Sequence, residues 1–116
     1  MRPNQVLALV CVATACACGA SVQPPNDAWA AAQADVGRAQ SSGADRIPDA
    51  KLHLQLAQED LAQAKRLIGD DNGRATTLTE VARAEAQLAQ SIARSSLAED
   101  QARQAAGELQ KANTAP

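Results

Sequence analysis

Residues 47–68 read IPDAKLHLQLAQEDLAQAKRLI, and the spacing of their apolar side chains determines the architecture that we expect. Apolar residues recur at alternating intervals of three and four, which places them on one face of an α-helix. Pro48 fits the first turn of such a helix, and Gly69 fits its end. The face consists of Ile47, Ala50, Leu54, Ala57, Leu61, Ala64 and Ile68. Because large side chains alternate with alanine, a partner helix can pack closely along it.

The segments on either side are also helical in pattern. Before it, Trp29 and Val36 lie on one face of a helix over about 27–42, which Gly43 ends. After it, about 73–112 contain no proline and form one long helix. No segment alternates like a strand. The sequence therefore predicts an all-α fold: an antiparallel helical hairpin or small three-helix bundle with a long third helix, with the second helix over about 48–68 and a disordered tail over 113–116.

The third segment changes its apolar face midway. Up to residue 94 we expect a stripe that pairs with the second helix, made of Leu78, Val81, Ala82, Leu88, Ala89, Ile92 and Ala93. After a break at Ser95 and Ser96, a second pattern consists of Ala98, Ala102, Ala105, Leu109 and Ala112. This end either frays, packs on the first helix or pairs with another chain. The predicted helix-packing residues of the whole chain are Trp29, Val36, Ile47, Leu54, Leu61, Ile68, Leu78, Val81, Leu88 and Ile92.

The amino terminus has the pattern of a secretory signal. Arg2 precedes an uncharged run over 6–20, which is too short for a stable transmembrane helix. Small residues stand directly before Cys16, and this motif resembles the lipobox of bacterial lipoproteins. It differs in one position, since alanine stands where leucine is usual three residues before the cysteine. We expect a signal peptide over 1–15, a lipid-anchored tether over 16–25 and a helical domain over 26–112. Cys18 is the alternative site, with a signal peptide to 17, and ordinary cleavage without a lipid is the third reading.

Composition excludes several classes of function. The net charge is −2 and the longest basic run is Lys65-Arg66, so no surface is suited to nucleic acid. All three cysteines lie within the first 18 residues, which leaves the helical part without disulfides or thiolate metal sites. With a single aromatic residue, the chain can build only a small core, and we expect no small-molecule substrate.

Few residues are candidates for chemistry. His53 is the only histidine and has at most Asp49 as an acidic neighbour, so we interpret it as a surface or boundary residue beside the face that contains Leu54. Glu85 interrupts an apolar stripe, and we interpret it as reaching water at the edge of that stripe. Residues 70–73, DDNG, lack the later ligands of a calcium loop. Pairs such as Asp35 with Arg38 are interpreted as marks of a solvated surface.

The joints between the helices resemble those of a known family. They are Pro25-Asn26, Gly43-Ala44, Ile47-Pro48, Gly69-Asp70 and Arg74-Ala75, and together with the lipoprotein-like start they resemble the domain of unknown function 4398 over about residues 24–106. The resemblance implies a location in the bacterial cell envelope and no established chemistry. Ile47, where the family would have a Tyr-Ala pair before the proline, and the longer turn at 71–73 depart from its pattern.

We therefore expect a non-enzymatic helical interaction or structural module, anchored in the outer membrane of a Gram-negative cell and facing the periplasm. Its only attached group would be diacylglycerol with an acyl chain such as palmitate, and no cofactor or metal is expected. Its partners would be membrane lipid and, through exposed heptads, another protein or a second copy. The alternative is a soluble periplasmic binding or chaperone-like protein.

Overall fold

Three α-helices make up most of residues 21–115, which are the residues that the computed structural model describes. Helix α1 spans Asn26–Ser41, α2 spans Pro48–Leu67 and α3 spans Asn72–Thr114, and a 3-10 turn over Ala44–Arg46 joins α1 to α2. The described residues contain no strand. Helices α2 and α3 form an antiparallel hairpin, and α1 packs against both of them. The predicted all-α class is confirmed.

The helices end within two residues of the predicted positions. The largest difference is at the carboxyl end, where the sequence analysis placed a disordered tail from residue 113. Helix α3 instead continues through Asn113 to Thr114, whose hydroxyl donates to the Gln110 carbonyl over 3.0 Å. The expected break at Ser95 and Ser96 is also absent from the backbone, because serine is compatible with a helix and no proline or turn interrupts it.

Local chemistry accounts for the two turns. Gly43 has a φ of +84°, in the left-handed region that side chains with a Cβ rarely adopt, so the first turn favours glycine. Gly69, at a φ of +97°, ends α2 in the same left-handed region. Asp71 then caps α3, since its carboxylate accepts from the Arg74 amide over 3.0 Å.

The core is built almost entirely from alanine. The buried positions of α2 are Ala50, Leu54, Ala57, Leu61 and Ala64, and those of α1 are Ala32, Asp35, Val36 and Ala39. Helix α3 contributes Ala75, Thr79, Ala82, Ala86, Ala89 and Ala93. Trp29, Ile47 and Ile92 are partly buried against this cluster. Such small side chains let the helix axes approach closely.

The packing face of α3 contains only part of the predicted stripe. Its alanines Ala82, Ala89 and Ala93 are buried. Val81 and Leu88, which were predicted to be helix-packing residues, are each 44% exposed. Leu78, another of the predicted packing residues, is only partly buried. Helix α3 must contact two helices at once, and the row of alanines with Thr79 fits close to both, whereas a row of large side chains would hold them apart.

Beyond Ala93, helix α3 leaves the bundle. Almost every side chain from Leu97 to Thr114 is exposed, which corresponds to roughly 27 Å of helix at about 1.5 Å per residue. This segment does not pack on α1, which was one of the three expectations for it.

Candidate functional site

Trp29 joins α1 to α2 near the beginning of α1. Its indole Nε1 donates to the Leu61 carbonyl oxygen over 3.0 Å, and the Lys65 ammonium lies 5.1 Å from the ring centroid. The ring also borders a groove of about 380 Å³ between the two helices, whose apolar lining includes Val36 and Leu61. The other lining residues are mostly glutamines, namely Gln33, Gln40 and Gln58, so the groove offers amides to a ligand but no charge.

A second groove, of about 460 Å³, lies where α3 leaves the bundle at the corner between α1 and α2. Its lining includes Arg46, Ile47, Leu97 and Asp100. The lining therefore combines apolar side chains and serine hydroxyls with one charge of each sign.

A buried carboxylate connects α1 to α3. The side chain of Asp35 is 7% exposed and contacts Arg38 on its own helix. It also accepts from Arg83 Nε over 3.0 Å and from Gln87 Nε2 over 3.3 Å, both on α3. The interpretation of Asp35 and Arg38 as a solvated pair was wrong for Asp35. Only a structure shows that α3 brings Arg83 and Gln87 to this carboxylate, and these bonds fix the rotation of α3 beside α1.

On the opposite side of α3, an ionisable cluster connects it to α2. His53 Nδ1 lies 2.5 Å from Glu85 Oε2, and about a quarter of each side chain is exposed. Partial burial raises the pKa of Asp60, which lies two helical turns along α2 from His53, and the negative charges of Glu85 and Glu59 raise it further. The sequence analysis treated His53 and Glu85 separately and missed their contact. The one signal for it was an acid inside an apolar stripe.

The other candidates serve the fold. The Asp71 carboxylate caps α3, and the Asn72 side-chain oxygen accepts from the Gly69 amide over 2.8 Å, so these oxygens of the acidic turn already have partners. Within residues 21–115, no group of three or more His, Cys, Asp or Glu side chains could hold a metal ion. Cys16 and Cys18, the predicted lipidation sites, lie outside the described residues.

The residues before α1 contact the turn between α2 and α3. Asn72 Nδ2 donates to the Val22 carbonyl oxygen over 2.9 Å. Since α1 runs parallel to α3, the chain enters the bundle beside the α2–α3 turn, and the free end of α3 lies at the other end. No helix among the described residues is both long enough and apolar enough to span a membrane.

One family model matches the chain. It is that of a domain of unknown function, DUF4398, and the match covers residues 27–105, which include all three helices. The resemblance that was inferred from the helix joints is confirmed. Neither the curated proteins nor the solved structures contain a significant match.

Proposed function

Because the chain belongs to the DUF4398 family, whose function is unassigned, we propose from its own residues that it is a lipid-anchored cell-envelope protein. Its helical body would act as a non-enzymatic interaction or structural module on the periplasmic face of the outer membrane. The single observation that carries this proposal is Cys16 directly after Ala13-Thr14-Ala15, at the end of an uncharged run. The described structure supports it through the arrangement of the chain ends.

The chemistry of the anchor requires a cysteine at that place. A diacylglyceryl group would attach to the Cys16 sulfur, and a further acyl chain would attach to the new amino group after cleavage. Each buried methylene contributes about 0.8 kcal/mol, so two or three chains hold a protein stably on a membrane, whereas one does so only marginally. The residue after Cys16 is Ala17, and the absence of aspartate there favours the outer membrane over retention at the inner one.

The arrangement of the bundle suits such an anchor. The bond from Asn72 to the Val22 carbonyl lies at the α2–α3 turn, and with an anchor at Cys16 this end of the bundle would face the membrane. Helix α3 has 43 residues, and it would carry its free end roughly 65 Å from its start at about 1.5 Å per residue. The exposed part of α3 is then the part most accessible to a partner across the periplasm.

The second candidate is a soluble periplasmic protein that binds peptides or other apolar ligands. The groove beside Trp29 favours it, since an aromatic ring, two aliphatic side chains and several glutamine amides can hold an extended chain. Alanine instead of leucine at position 13 also weakens the lipobox.

Intact and peptide mass spectrometry of the mature amino terminus separates the two candidates. The protein is expressed with its own amino terminus in a Gram-negative host and recovered from membrane and soluble fractions. We expect a chain that starts at Cys16 and carries acyl mass, in the outer-membrane fraction of a sucrose gradient.

Two serine variants form a matched pair. Cys16→Ser should release the protein from the membrane, and Cys18→Ser should leave it anchored. The reverse result would assign the lipid to Cys18. An unmodified terminus in the soluble fraction would refute the anchor and favour the soluble candidate.

A further inference from the structure

Helix α3 carries a second apolar stripe that the bundle does not use. Starting at Val81, positions at alternating intervals of three and four are all exposed and uncharged. They are Val81, Ala84, Leu88, Ser91, Ser95, Ala98, Ala102, Ala105, Leu109 and Ala112. We call these ten positions the outer stripe. Helical geometry places it roughly 150° around α3 from the buried alanines.

The outer stripe joins two regions that the sequence pattern separates. Its first half runs along the solvent side of the bundle, and its second half runs along the free end of α3. It contains three large side chains, and Val81, Leu88 and Leu109 are 44%, 44% and 66% exposed. An exposed row that is apolar except for Ser91 and Ser95 can serve as an interaction surface, and the interval of 3.5 residues is that of a two-stranded coiled coil.

We propose that the outer stripe binds the outer stripe of a second copy of this chain in antiparallel orientation. In the centred register, Val81 lies opposite Ala112, Leu88 opposite Ala105 and Leu109 opposite Ala84. The remaining layers pair Ser91 with Ala102 and Ser95 with Ala98. Every large side chain therefore meets an alanine in the outer layers, and the central layers contain only serine and alanine, which lets the two helices approach closely there. A parallel pair would instead place Leu88 on Leu88, between one layer of alanine and one of serine.

The lengths of the two halves also match. The free half, over 98–112, has the same number of residues as the half on the bundle, over 81–95. In the antiparallel pair, each free end covers the open face of the other bundle, and the interface is closed by a two-fold axis. An isolated helix of this length is only marginally stable in water, so the contact would also support the free end.

Charge and area are consistent with a second copy. In this register, the residues directly beside the outer stripe bring Arg94 near Gln101 of the other copy and Glu85 near its Ala106. No like charges meet along the interface. The stripe is roughly 47 Å long and about 10 Å wide, so two copies would bury on the order of 1,000 Å², the lower bound for a specific interface. A reversible dimer is expected.

This inference names the partner of the proposed interaction module, and it rests on that role but not on the lipid anchor. Its test is independent of the amino-terminal mass. The full chain, purified in detergent, is examined by sedimentation equilibrium in density-matched buffer over a hundredfold range of concentration. We expect a monomer–dimer equilibrium.

Two lysine variants form the matched pair. Ala105 and Gln104 are neighbours and both exposed, but only Ala105 lies on the outer stripe. Ala105→Lys should weaken dimerisation at least tenfold, because the charge would face Leu88, and Gln104→Lys should have no effect. Circular dichroism confirms that both variants remain helical. A protein that is monomeric at every concentration, or equal affinities for the two variants, would overturn the proposal.

Disulfide mapping determines the orientation. In the double variant Ser91→Cys with Ala102→Cys, an antiparallel dimer links residue 91 of one copy to residue 102 of the other. The two positions are roughly 16 Å apart within one helix, too far for an internal disulfide. Trypsin places them in different peptides, so mass spectrometry distinguishes this link from the 91–91 and 102–102 links of a parallel dimer. Gln90 and Gln104 lie at nearly the same level along the antiparallel pair but outside the outer stripe. The double variant Gln90→Cys with Gln104→Cys should therefore form no such link. Same-residue links alone, or equal linking in the control, would contradict the antiparallel pair.

Discussion

Replacing one buried alanine by leucine tests whether the close approach of the helices supports the fold. Ala32 is fully buried in α1, and Ala34, two residues further on, is exposed. Ala32→Leu and Ala34→Leu make the same chemical change in the same helix, so their helix propensities change equally. The difference between the two variants therefore isolates packing.

The expected magnitude follows from the lack of space at Ala32. If a leucine fitted without strain, three added carbon groups would stabilise the fold by roughly 2 kcal/mol, at about 0.8 kcal/mol each. A close-packed seam of alanines offers no such space, and overpacked cores lose about 1–3 kcal/mol instead. For a folded part of this size, a loss of about 2 kcal/mol lowers the melting temperature by roughly 10 °C. Ala34→Leu should stay within about 0.5 kcal/mol of the parent.

Thermal and urea unfolding of the full chain, followed by circular dichroism at the helix band, provides the measurement. Ala32→Leu should unfold at lower temperature and lower urea concentration, with the slope of the urea transition unchanged. Equal stability of the two variants, or a gain for Ala32→Leu, would refute the reasoning, because α1 would then not lie close to its neighbours.

Three further changes test single contacts, each by urea unfolding. Asp35→Asn should lower the free energy of unfolding by about 1–2 kcal/mol, since the ion pairs with two arginines are lost and one acceptor oxygen is replaced by an NH2 group that faces a donor. Asp100→Asn, in an exposed pair, should have little effect, and equal losses for the two variants would contradict the buried role of Asp35. Asp60→Asn should stabilise the protein at pH 7, because the raised pKa of Asp60 means that the folded state disfavours the charged carboxylate. This gain in stability should shrink as the pH falls through the raised pKa and disappear below the unfolded value of 3.8. A gain that persists below that pH would have another origin. Trp29→Phe should cost about 1 kcal/mol through loss of the bond to the Leu61 carbonyl, and an unchanged stability would show that this bond contributes nothing.

The helix ends could be predicted from sequence because local chemistry fixes them. Pro48 can stand only in a first turn, and Gly69 adopts the left-handed conformation that ends a helix, so neither depends on the rest of the fold. The buried face of α2 could be predicted for a related reason, since its apolar positions follow one period without interruption.

The rotation of α3 could not be predicted, because its sequence contains two stripes with the same period. The predicted stripe contained members of both: its alanines are buried, whereas Val81 and Leu88 are exposed because α3 packs closely against two helices. The contacts of Asp35 with Arg83 and of His53 with Glu85 follow from this rotation. They join residues that are 48 and 32 positions apart, so no local pattern in the sequence indicates them.

Trp29 is the only aromatic residue of the chain, and it reports on one joint of the bundle. Its indole is held between the Leu61 carbonyl and the Lys65 ammonium, so its fluorescence depends on whether α1 is docked on α2. Circular dichroism instead follows mainly α2 and α3, which contain most of the helical residues. Unfolding curves from the two signals will coincide if the three helices melt as one unit, and the fluorescence curve will come first if α1 detaches from an intact hairpin. The chain therefore carries its own probe for partial unfolding without any added label.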